Sequence, residues 1–132
     1  MENTPKLRIS HPTANIDRTV AFYRDGLGFD VLDRFEEQQG WDGAIFGHRN
    51  WPYQIEVTHK RGEDDVPRAA SQFDCLIFCI PEGEQWEKRM HAMFDAGFSQ
   101  VPPPELYNDG TCACYEDPDG YRVLLHKGVW KK

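Results

Sequence analysis

Tyr53-Gln54-Ile55-Glu56-Val57-Thr58-His59 alternates polar and apolar residues and reads as a half-buried strand. The same kind of strand returns near the end of the chain as Tyr121-Arg122-Val123-Leu124-Leu125-His126. The segment before it returns as well: Phe22-Tyr23-Arg24-Asp25-Gly26-Leu27-Gly28-Phe29 answers Met93-Phe94-Asp95-Ala96-Gly97-Phe98. Matched helix ends and matched closing strands are the mark of an internal duplication.

Around these anchors each half spells strand, helix and three strands. In the first half, residues 6–11 are extended, and Asn15 is placed to cap a helix carrying Ile16, Val20, Tyr23 and Leu27. Gly26 is expected to end that helix in a left-handed conformation. Strands follow at 29–35, 41–46 and 53–59. The polar run from Lys60 to Arg68 is a linker. In the second half, 73–80 is a β-rich apolar run, and Trp86, Met90, Met93 and Phe94 mark a helix closed by Gly97. Residues 98–101 form a short strand stopped by three prolines. Strands at 111–116 and 121–126 are joined by Asp117-Pro118-Asp119-Gly120, a turn in which proline presets φ and glycine supplies a positive one. The expected fold is α+β, a single domain over 1–132. It has βαβββ modules at 6–60 and 73–127 with a linker at 61–72, and a curved eight-stranded mixed sheet around a central cavity.

At 132 residues and 39% hydrophobic content the chain can bury one core. A net charge of −7 would repel a phosphate backbone, which argues against nucleic acid. No apolar run is long enough for a membrane span, and the polar start from Met1 carries no targeting segment. The expected location is the cytoplasm. Cys75, Cys79, Cys112 and Cys114 form no CxxC pair and read as small hydrophobes of a reducing compartment.

Three segments together resemble the vicinal oxygen chelate superfamily of glyoxalases, bleomycin-resistance proteins and dioxygenases. They are the helix and turn from Asn15 to Phe29, Gln54-Ile55-Glu56-Val57-Thr58, and Glu116-Asp117-Pro118-Asp119-Gly120-Tyr121-Arg122-Val123. The resemblance covers residues 6–127. It implies the fold above, a homodimer, and, in metal-dependent members, one ligand on each of four strands. Those positions fall here on Arg8, Glu56, Asp74 and Leu124. A guanidinium has no lone pair to give, and an isobutyl group has no donor at all. No cofactor is therefore expected. A divalent metal held by Glu56, Asp74 and His126, or by Glu56, His11 and His126, is the alternative.

Arg8 is expected to stand in for the ion, paired with Glu56 and Asp74. Strand alternation extends the predicted ligand-binding surface to Arg8, Ser10, Gln54, Glu56, Asp74, Leu76, Phe78, Leu124 and His126. It sends His11 to the opposite face. Cys112 and Cys114 share one face of their strand, while His48, His59 and His91 are expected to be exposed. The expected function is binding of a small molecule without a standard metal site. The alternative is a lyase, isomerase or dioxygenase with Glu56 as base and Arg8 stabilising an oxyanion.

Overall fold

The computed structural model describes residues 5–128; the polar start from Met1 and the last four residues lie outside the described residues. The first module comprises β1 (Leu7–Pro12), α1 (Ile16–Ala21), β2 (Asp30–Gln38), β3 (Trp41–Gly47) and β4 (Tyr53–Lys60). The second comprises β5 (Cys75–Ile80), α2 (Glu84–Asp95), β6 (Cys112–Glu116) and β7 (Arg122–Lys127). Strand order is β1-β4-β3-β2 in one sheet and β5-β7-β6 in the other. In each, the first strand lies parallel to the last and the remainder is antiparallel. The eighth strand position is reduced to one bridge, Gln100 to Tyr115. The prolines at 102–104 follow at once and supply no N–H for a longer ladder.

Asn15 caps α1 as expected, its side chain accepting from Arg18 N at 3.1 Å. Gly26 does not end the helix. The chain passes through one wide π-helical turn, Phe22–Gly26, and the positive φ (78°) falls on Gly28. Gly26 instead meets α2: a Cβ there would lie 2.7 Å from Met93 Sδ. The residue is small because two helices touch.

One core joins the modules. Val20, Phe22 and Tyr23 from the first helix and turn pack with Ala44, Phe46, Ile55 and Val57 of one sheet, with Ala113, Tyr115, Val123 and Leu125 of the other, and with Met93. By alternation, the residues between these on each strand face away from the helices. The buried Asp-Pro-Asp-Gly turn reinforces the joint. Asp119 accepts from Ala14 N and Thr19 Oγ1, and Asp117 accepts from the Tyr23 hydroxyl.

Candidate functional site

The candidate site lies on the face of the first sheet turned away from the helices. Parallel pairing sets Arg8 opposite Gln54 and Ser10 opposite Glu56. The Arg8 Nε and Nη2 both donate to Gln54 Oε1, at 3.0 and 2.7 Å. Its Nη1 stands 3.9 Å from Glu56 Oε2, and Ser10 donates to Glu56 Oε1 at 2.8 Å. Each partner is thus held by a neighbour across one strand pair. Arg8 keeps half of its side chain exposed while Glu56 keeps only 20%. The arrangement offers a cation, a hydroxyl and an oriented carboxylate to a ligand arriving on the sheet. Beside it, the Phe35 ring covers Gly43, and a Cβ there would meet the ring unless it shifted.

Among the described residues, none of these four is hydrogen bonded or ion paired to the second module. The expected Arg8–Glu56–Asp74 cluster does not form. Asp74 is exposed ahead of β5, and its carboxylate accepts from Ser71 N in a tight turn. The strand begins at Cys75, two residues later than expected, and its pairing with β7 turns Asp74, Leu76 and Phe78 to the face opposite the expected one. Cys75 pairs with Arg122, Ile77 with Leu124 and Cys79 with His126. Leu76 and Phe78 therefore pack against the core rather than on the face of Leu124 and His126. The duplication makes Gln54 the counterpart of Arg122, so the counterpart of Arg8 is Cys75, not Asp74.

Antiparallel pairing of Cys112 with His126 and of Cys114 with Leu124 puts all four cysteines on this second face. Burial pushes the thiols of Cys75 and Cys79 up, and that of Cys114 up to about 11, so these are protonated thiols. The Cys79 Sγ lies 3.9 Å from His126 Nδ1. His11 takes the opposite face of β1, buried, with its ring 4.3 Å from that of Tyr121. His91 is exposed. His48 and His59 are not. His48 contacts Asp30 and packs edge-on against Trp51, and His59 bonds the Thr13 carbonyl. Sequence reasoning missed these because Asp30 and Thr13 are far from His48 and His59 along the chain.

The superfamily's metal positions, corrected for register, hold Arg8, Glu56, Cys75 and Leu124. This set does not fit a divalent ion: two positions lack a lone pair, which leaves two donors where a catalytic ion needs about three. Among the described residues no three His, Cys, Asp or Glu side chains are grouped to hold one.

Comparison with known proteins matches each module to its own family model. Residues 7–58 match the YycE-like N-terminal domain and residues 74–127 the YycE-like C-terminal domain. The chain belongs to the YycE-like family of the vicinal oxygen chelate superfamily. YycE of Bacillus subtilis (strain 168), an uncharacterized protein, is 27% identical over 126 residues, which is 94% of this chain and 90% of that one. The crystal structure of a YycE protein from Bacillus subtilis, of unknown function, superposes with a TM-score of 0.83 at 27% identity, covering 96% of this chain and 93% of that chain. A "Probable lactoylglutathione lyase, chloroplastic" of Arabidopsis thaliana is 25% identical over 128 residues, 92% of this chain but 35% of that protein. The fosfomycin resistance protein FosX of Mesorhizobium loti shares the fold, with a TM-score of 0.69 at 12% identity over 98% of this chain and 94% of that one.

Proposed function

We propose that this YycE-like chain binds a small oxygen-bearing molecule on the face carrying Arg8, Ser10, Gln54 and Glu56, without a resident metal. The observation that carries the reading is the Arg8 guanidinium, oriented by Gln54 at 2.7 and 3.0 Å and half exposed. A fixed planar cation recognises a carboxylate or phosphonate by paired N–H donors. It supplies at this position the positive charge that an ion gives elsewhere in the superfamily.

A homodimer of the cytoplasm is part of the proposal. β1 and β5 are both edge strands, with Leu7 56% exposed on the first. A 550 Å³ groove lined by Leu7, Ile9, Tyr53, Ile55, Leu76 and Phe78 runs beside them. Free edges with apolar flanks favour pairing with another chain. In such a pair a second sheet bearing Leu124 and His126 would close over the Arg8 face.

One observation favours a second reading, a metal-free lyase or isomerase. Glu56 has one oxygen held by Ser10 and the other near Arg8, a geometry in which a base and an oxyanion stabiliser are neighbours. Titration of small carboxylates and phosphonates, followed by calorimetry, tests the binding proposal. Arg8→Ala should weaken the best ligand at least about tenfold, and an unchanged affinity removes Arg8 from the site. Product formation that is lost in Glu56→Gln would favour the second reading.

A further inference from the structure

A second cavity lies on the other side of the molecule from the Arg8 face, where the end of the first helix meets α2. It has a volume of 280 Å³ and a floor of Leu27, Phe29, Phe78 and Leu125. Gln85, Lys88 and Arg89, on one face of α2, form its polar wall. The volume is just below the roughly 300–1,000 Å³ of most ligand pockets, which suits a small ligand.

Arg89 distinguishes this cavity from an ordinary surface dent. Its guanidinium is partly buried, and Nη1 donates to the Gly26 carbonyl at 2.8 Å. That contact anchors the cation at the C-terminal end of the π-helical turn, where carbonyls favour positive charge. Gly28 leaves room for it: a Cβ there would stand 2.6 Å from Nη2. Among the described residues Arg18, Arg49 and Arg89 have no carboxylate within 4.0 Å, and of these three only Arg89 is partly buried, while the other six arginines each have one. Burial without an acid pulls its pKa down. A guanidinium has five N–H donors, and one is used. Neighbouring Lys88 adds a second cation, paired with exposed Glu84 at 3.1 Å.

We propose that this cavity is a binding site for a small amphipathic carboxylate, its head group on Arg89 and its apolar tail on Leu27, Phe29, Phe78 and Leu125. The carboxylate supplies the acid that the protein withholds, in bidentate geometry, and the tail covers apolar surface. The site is independent of the Arg8 face and stands or falls separately from it.

Octanoate, octanol and octylamine serve as probes in calorimetry, with amide chemical shifts to locate them. Octanoate should give shifts centred on Leu27, Phe78 to Pro81 and α2, and bind there at least about tenfold more tightly than octanol. Arg89→Met should remove most of that preference. Should Arg89→Met fail to fold, Lys88→Glu is the alternative, at a wall residue whose ion pair with Glu84 is open to solvent. Replacing the second cation by a carboxylate should repel octanoate and weaken it several-fold without altering the circular dichroism spectrum. Arg8→Ala should leave the octanoate-induced shifts of Leu27, Phe78 to Pro81 and α2 unchanged, whatever it does on the Arg8 face. No octanoate shifts at these residues, equal affinity for octanol there, no loss in either α2 variant, or loss of these shifts in Arg8→Ala would each overturn the proposal.

Discussion

The Tyr23 hydroxyl donates a 2.8 Å hydrogen bond to Asp117 Oδ2, joining the first helix to the turn that closes the second module. Both residues are buried, and the other oxygen of Asp117 accepts from the backbone of Asp119 and Tyr121. The two modules therefore share a polar clasp inside their apolar core. A buried acceptor of this kind is costly to leave short of donors.

Tyr23→Phe should destabilise the protein by about 1–3 kcal/mol in mildly alkaline buffer. Burial pushes the Asp117 carboxyl up, and the Tyr23 hydrogen bond opposes it. Because the folded value lies above the unfolded one, the ionised carboxylate costs stability above that range, and the cost disappears as pH falls through it. The variant lacks the donor that stabilises the ionised form, so its deficit should shrink in acid. Urea unfolding at two pH values checks this, and an equal deficit at both would remove Asp117 as the cause.

Arg8→Ala should change stability by less than about 1 kcal/mol. Its ion pair with Glu56 is long, at 3.9 Å, and half of its side chain is exposed, so solvent screens the interaction. A melting temperature close to that of the parent, together with lost ligand affinity, would separate a binding role from a structural one.

Gly43→Ala should cost about 1–3 kcal/mol, since the added methyl runs into the Phe35 ring. Phe35→Leu in the same chain should recover part of the loss. Thermal unfolding of the single and double variants measures the coupling, and additive effects would show that the ring is not the obstacle.

Cys114 should resist alkylation in the native state while Cys112 reacts. Cys114 is 1% exposed with its thiol pushed up to about 11, and Cys112 is half-buried. The thiolate is the reactive form, so burial and protonation act together. Peptide mass spectrometry after iodoacetamide, with and without denaturant, reads the difference. Equal labelling of the two in the native protein contradicts it.

Much of the architecture was legible because it rests on local signals. Asn15 caps its helix, Gly97 and Gly120 carry positive φ, and His11 lies opposite Arg8 as the period of two requires. The eighth strand was over-read, since extended residues form a strand only where a neighbour offers a ladder. The third site position was misplaced by one residue, from Cys75 to Asp74. The apolar run 73–80 looks the same in either register, and only its pairing with β7 distinguishes them.

The sequence by itself determined the duplication, the order of elements and the absence of lone pairs at Arg8 and Leu124, because periodicity and side-chain chemistry need no partner. Only the tertiary structure decided which residues meet. It buried the Asp-Pro-Asp-Gly turn as a clasp on Tyr23, and it put four cysteines on one sheet face. Among the described residues it also left Arg89 without an acid within 4.0 Å, on a carbonyl beside an apolar cavity. Each of these depends on strand register or helix contact, which long-range packing sets and local sequence does not encode.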